Sequence, residues 1–186
     1  MEYKVKARIS NRHVHLTEDT YYKLFDTELE KKYDLKQRGQ FAAKQTLTIK
    51  NGDVIIPNVR VVGPFRNYNQ IEISKSDARK LGLNPPVRSS GDLKDSLIIT
   101  LKTDKDEVNT NGLIIANRHI HMNYDDAKKY NVQDKDIVKI RIPGDKEGIL
   151  SAEIKVSEDG YFEVHLDTDD GNAFLLNDND DITMII

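Results

Sequence analysis

The chain has five histidines, and four of them fall in two copies of one phrase, "SNRHVHLT" at 10–17 and "ANRHIHMN" at 116–123. Each copy is an HxH triplet: His13-Val14-His15 and His119-Ile120-His121. In an extended strand alternate side chains share a face. Both imidazoles of a triplet therefore stand on one side, about 6–7 Å apart along the backbone, close enough to converge on one metal ion. The β-branched residue between them turns the other way, into a core. A single HxH reads equally well as a cross-strand pair with no ligand. Two copies in a chain whose one other histidine, His165, sits in the apolar strand pattern "FEVHLD" move the reading to metal.

The triplets open a longer repeat. "HLTEDTYYKL" (15–24) and "HMNYDDAKKY" (121–130) align with a degenerate third copy, "EISKSDARKL" (72–81). Each copy runs from a metal-capable residue through an apolar residue to Thr17, Asn123 or Ser74, a helix N-cap type, and then an acid-containing first turn. Glu72 takes the place that His15 and His121 hold. Because the chain has no cysteine, thiolate nucleophiles, disulfides and cysteine zinc ribbons are excluded, and any metal must use His, Asp or Glu. Counting ligands on that basis gives His13, His15 and Glu72 as one candidate set and His119, His121 and His165 as another. Both are zinc-type sets with an open position for water or substrate. A triple closed by Glu72 and one closed by His165 differ in charge, which would suit two metals with different tasks.

Arg66 follows the strand end at Gly63–Pro64 and lies six residues before Glu72. A turn there brings a guanidinium, whose planar fork fits phosphate oxygens bidentately, near the metal that Glu72 would hold.

The elements that must position these groups are mostly strands. "YKVKARI" (3–9), "TLTIK" (46–50), "DVIIPNVRVV" (53–62), "SLIITL" (96–101), "DIVKIRI" (136–142), "SAEIKVS" (151–157) and "YFEVHLD" (161–167) alternate or run apolar, with turn signals between them. This predicts a mostly β fold of the sandwich or barrel kind. Helices are expected from about Glu18 to Tyr33, near Lys75–Leu81 and Asp125–Tyr130, and at "DDGNAFLL". The acidic "NDNDD" (177–181) reads as a solvated turn before a last strand "ITMII".

A net charge of −3, from 28 basic and 31 acidic residues mixed along the chain, leaves no broad basic footprint for nucleic acid or anionic membrane. No apolar run approaches the roughly 18 residues of a membrane helix, and the N-terminus lacks the apolar core of a secretory signal. The expectation is a cytoplasmic protein.

"SNRHVHLT", "GPFRNYNQIEIS" with "DARKLG", "PPVRSSGDL", "ANRHIHM" and "HLDTDDGNA", in this order, resemble the PduL-type phosphate acyltransferases, the phosphate propanoyltransferase family. The resemblance covers nearly the whole chain. It implies an enzyme with two zinc ions that interconverts acyl-CoA and inorganic phosphate with acyl phosphate and CoA. It also implies two β-barrel domains with short capping helices, of which one joins residues 1–11 to 117–186 and the other is 12–116. Carried over to this chain, His13, His15 and Glu72 match the ligands of one zinc and His119, His121 and His165 those of the other. Arg66 matches the phosphate-binding and catalytic arginine. Ile9, Ser10, Asn11, Arg60 and Asn172 match positions that contact CoA, and Arg88 lies in a family motif. Where the family carries a lysine before "GQF" this chain has Tyr33, with Lys32, Lys36 and Arg38 as the nearby basic replacements. A homodimer is implied. Packaged relatives carry an N-terminal targeting extension, and this chain begins almost at its first strand, so a free cytoplasmic enzyme is expected.

Two rivals share the ligand sets. A zinc hydrolase would need neither Arg66 nor a CoA site, and a non-catalytic zinc-binding barrel would close each metal with four protein ligands.

Overall fold

The computed structural model describes residues 1–186. In chain order the strands are β1 (Glu2–Ser10), β2 (His13–His15), β3 (Lys31–Asp34), β4 (Phe41–Asn51), β5 (Val54–Gly63), β6 (Gln70–Ile73), β7 (Val87–Arg88), β8 (Leu97–Lys102), β9 (Glu107–Ala116), β10 (His119–Met122), β11 (Ile137–Ile142), β12 (Gly148–Val156), β13 (Glu163–Asp167) and β14 (Asp181–Ile185). The helices are α1 (Glu18–Leu24), α2 (Lys75–Lys80), α3 (Tyr124–Tyr130) and α4 (Thr168–Phe174).

The fold is mostly β, with two closed six-stranded barrels. The chain divides into two compact units, Met1–Asn11 with Asn117–Ile186, and Arg12–Ala116. In the first unit the barrel runs β1-β13-β10-β12-β11-β14 and closes on β1. In the second, β4-β5-β2-β6-β9 closes through β8, which pairs with both β9 and β4, while β3 and β7 are short additions. Alternation along the strands fills each barrel with its own aliphatic core: Val14, Ile71, Leu101 and Leu113 in the second unit, Ile120, Ile140, Ile154 and Val164 in the first.

The repeat is fourfold rather than threefold. Each copy is a long strand, a short strand, a capped helix and a returning strand: β1-β2-α1-β4, β5-β6-α2-β8, β9-β10-α3-β11 and β12-β13-α4-β14. Every short strand pairs in parallel with the long strand that opens the next copy, as in β2–β5, β6–β9, β10–β12 and β13–β1. Every returning strand pairs antiparallel with that same long strand. The copy missed in the sequence is "HLDTDDGNAF", where Asp167 caps α4 as Thr17, Ser74 and Asn123 cap the other helices.

The helix expected over 18–33 stops at Leu24. Phe25 is extended (φ −130°, ψ 147°), and the chain then folds back instead of continuing. Phe25 and Leu29 pack against the core of the second unit from the non-helical segment, so their apolar surface is buried without a longer helix. The backbone of that segment is held from outside: the Tyr21 hydroxyl and the Gln45 amide both donate to the Glu28 carbonyl (3.2 and 2.9 Å). Residues 31–34 then form β3 against β4.

Candidate active site

Two antiparallel strand pairs build the two ligand sets. In the second unit β2 lies beside β6, with His13 opposite Glu72 and His15 opposite Gln70. In the first, β10 lies beside β13, with His119 opposite His165 and His121 opposite Glu163. Each pair therefore presents a square of four side chains on one face, while Val14, Ile71, Ile120 and Val164 fill the core on the other. Within each square three residues bring one ligand atom each to within 4.8 Å of one another: His13, His15 and Glu72, and His119, His121 and His165. These are the two triples reached by counting.

The geometry of the second triple fits a metal. His119 Nδ1 lies 2.9 Å from the Asn117 carbonyl. A carbonyl only accepts, so Nδ1 carries the proton and Nε2 presents its lone pair. That lone pair faces His121 Nε2 at 3.1 Å. Two nitrogens on one tetrahedral zinc, with bonds of about 2.0–2.1 Å, stand about 3.3–3.4 Å apart. His121 is buried, its Nδ1 has no hydrogen-bond partner, and burial, followed by the neighbouring His119, His165 and Lys155, pushes its pKa down to about 2. The ring is thus held neutral, as a metal ligand must be. In the first triple His13 Nε2 is 3.6 Å from Glu72 Oε2, and the rings of His13 and His15 meet edge to face at 5.1 Å.

Arg66 is joined to the first triple by a chain of hydrogen bonds. Its Nη1 donates to the hydroxyls of Tyr68 and Ser90 (3.4 and 3.3 Å), and no carboxylate pairs with it. Gln70, fully buried, donates to Ser90 Oγ (2.9 Å) and to Glu72 Oε1 (2.5 Å) and accepts from the Gly91 amide (2.8 Å). A half-buried guanidinium held by long bonds to neutral hydroxyls and by the Tyr68 ring, its centre 5.8 Å away, meets no anionic partner, the condition for binding an anion. The turn that delivers it depends on Gly63, where a Cβ would fall 2.3 Å from the Phe41 ring, and on the Arg66 amide, which donates to the Leu16 carbonyl (2.9 Å).

The family model described as phosphate propanoyltransferase matches residues 6–177. A phosphate propanoyltransferase of Thermotoga maritima is 47% identical over 177 residues, 92% of this chain and 84% of the relative. That of Shewanella putrefaciens is 46% identical over 169 residues (89% and 80%), and that of Salmonella typhimurium 42% over 169 (89% and 80%). The chain belongs to the phosphate propanoyltransferase family. As a member it is an acyltransferase.

The remaining positions matched to the family fall in separate places. Ile9 and Ser10 end β1, Asn11 follows them, and Asn172 is exposed on α4, all within the first unit. Arg60 is on β5 of the second unit, its guanidinium 5.6 Å from the Tyr33 ring centre. Lys32 on β3 and Lys36 and Arg38 in the turn after it are exposed. Arg88 donates to the carbonyls of Lys94 and Val87 (both 2.9 Å) and pairs with Asp95 (3.2 Å), bonds that tie its own loop together.

Several residues of the site were not anticipated. Gln70 and Glu163 complete the two squares, and the signal for both was a polar residue two places before Glu72 and His165. The two triples differ as expected, one holding a carboxylate and one three imidazoles, while the buried Glu163 adds a carboxylate beside the second triple, opposite His121. Arg12 and Arg118, one place before each HxH, form ion pairs with Asp77 (3.0 Å) and Asp170 (2.7 Å), the third residues of α2 and α4. Each pair ties an HxH strand to the helix that follows its partner strand. The repeated "NRH" carried that information.

Proposed function

We propose that the chain catalyses reversible transfer of a short acyl group between CoA and inorganic phosphate, giving acyl phosphate and free CoA. The observation that carries this reading is Arg66, an uncompensated guanidinium linked through Ser90 and Gln70 to the Glu72 of a metal-type triple. Arg66 would grip two phosphate oxygens through its fork and orient a third toward the thioester carbonyl, removing much of the entropic cost of the encounter. The new C–O bond forms as the C–S bond breaks, and CoA leaves as the thiolate. With no cysteine in the chain, direct attack by phosphate is the simplest course.

His13, His15 and Glu72 would hold one zinc ion, and His119, His121 and His165 a second. A zinc ion supplies Lewis-acid polarisation and charge neutralisation at an oxygen or sulfur ligand. Ile9, Ser10, Asn11, Arg60 and Asn172 are assigned to CoA contacts by their match to the family. A cytoplasmic homodimer is part of this reading, and light scattering on the purified chain tests the oligomeric state.

The test is to mix the protein with acetyl-CoA or propanoyl-CoA and follow free thiol with and without phosphate. Thiol release strictly dependent on phosphate is expected. Release without phosphate identifies a hydrolase, and no release with either substrate leaves a non-catalytic metal-binding barrel.

A further inference from the structure

In each square three side chains form the metal triple and the fourth is left over: Gln70 beside Glu72, Glu163 beside His165. Both fourth members sit at the same place, two residues before the third ligand on the same strand and opposite the second histidine of the HxH. Both bond that third ligand. Gln70 donates its amide to Glu72 Oε1 (2.5 Å), and Glu163 Oε2 lies 3.2 Å from His165 Nε2. The chemistry is matched in each case. A carboxylate ligand needs a donor to hold it and meets an amide; an imidazole ligand offers an N–H and meets a carboxylate.

We propose that Glu163 is the positioning residue of the second metal set, holding His165 by accepting its ring N–H, as Gln70 holds Glu72 in the first. A carboxylate only accepts, so this bond puts the proton on Nε2 and leaves the Nδ1 lone pair as the ligand atom of His165. The Tyr161 hydroxyl, 3.1 Å from the same Nε2, and the Tyr161 ring, stacked on His121 with centres 5.2 Å apart, restrict the same two rings from a third side. Glu163 is 1% exposed, so no water competes with its bond to His165. It lies outside the triple that converges within 4.8 Å, and so acts through His165 rather than as a ligand itself.

This inference rests on the metal reading of the two triples, and the experiment separates them. Wild-type protein is stripped, and zinc is titrated back against a chromophoric chelator with the bound metal counted. Cobalt(II) is loaded in parallel and its d–d absorption recorded. The wild type is expected to take two equivalents. Glu163→Gln, the isosteric change, should weaken one of the two by on the order of 10–100-fold and shift the cobalt bands of that site alone. Glu163→Asp, which keeps the charge but withdraws it from Nε2, should weaken the same site. In a His165→Ala background Glu163→Gln should cost nothing further. Wild-type affinity at both sites in both Glu163 variants, or an undiminished loss in the His165→Ala background, overturns the role of Glu163 alone. A wild-type chain that takes up no metal overturns the metal reading and this inference together.

Discussion

Replacing Gln70 by Leu keeps the volume of a fully buried side chain and removes its three hydrogen bonds. The bond to Glu72 Oε1 has a charged acceptor, and losing such a bond inside a protein costs about 1.5–3 kcal/mol. Ser90 is half-buried and Gly91 exposed, so water replaces Gln70 there and each adds only about 0.5 kcal/mol. The sum is about 2.5–4 kcal/mol. For a chain of this length 1 kcal/mol moves Tm by about 2–4 °C, so metal-free Gln70→Leu should melt on the order of 10 °C below the metal-free wild type. Gln70→Glu should be at least as destabilised without metal, since two carboxylates at hydrogen-bond distance cannot both ionise at ordinary cost. Added zinc should recover more of the loss in Gln70→Glu than in Gln70→Leu, because the extra charge then faces a dication. Differential scanning calorimetry of the three proteins, with and without zinc, reads all of this. A metal-free Gln70→Leu protein melting within about 2 °C of wild type would refute the claim that Gln70 holds Glu72 in place.

Other perturbations have equally definite outcomes. Arg66→Ala should lower phosphate-dependent turnover by on the order of 10²–10³ while moving Tm by no more than about 4 °C, since two long bonds to neutral hydroxyls and the contact with the Tyr68 ring are lost; full turnover at saturating phosphate contradicts the role. Arg66→Lys should recover part of the rate, keeping the charge without the fork. Asp170→Asn loses a two-pronged pair with Arg118 (2.7 and 2.8 Å) and, because that guanidinium is 40% exposed, should cost only about 1–2 kcal/mol, less in high salt, as read by denaturant melts. His121 has its folded pKa depressed to about 2 against an ordinary 6.5, so the unfolded chain binds the proton first. The contribution of this residue to metal-free stability is complete above 6.5 and falls steadily as pH drops from there toward 2, and His121→Asn should flatten that part of a Tm-against-pH curve.

What was legible in the sequence was local. The period-two strands, the N-cap residues and the HxH phrase are all set by neighbours within a few positions, and the structure keeps every one of them. The end of α1 was not legible because nothing in "FDTELEKKY" (25–33) breaks a helix outright; the segment is held by Gln45 of β4 and by the Tyr21 hydroxyl, both donating to the Glu28 carbonyl. The fourth repeat was hidden because its ligand strand has Glu163 where an HxH has its first histidine, and Gln70 hid the same slot in β6. Cross-strand register reveals both, since His15 lies opposite Gln70 and His121 opposite Glu163. The Arg12–Asp77 and Arg118–Asp170 pairs escaped for the same reason: partners 65 and 52 residues apart in sequence meet only once the strand order is known.

In the proposed function, the His13–His15–Glu72 and His119–His121–His165 triples and Arg66 serve phosphate attack on an acyl thioester. Phosphorus-31 NMR of the protein with propanoyl-CoA and inorganic phosphate tests it most directly, using protein as isolated, stripped by chelator, and reloaded with zinc. An acyl phosphate resonance should grow as inorganic phosphate declines, be lost on stripping and return with zinc. Acyl phosphate formed at an undiminished rate by metal-free protein, or thioester consumed with inorganic phosphate unchanged, would contradict it.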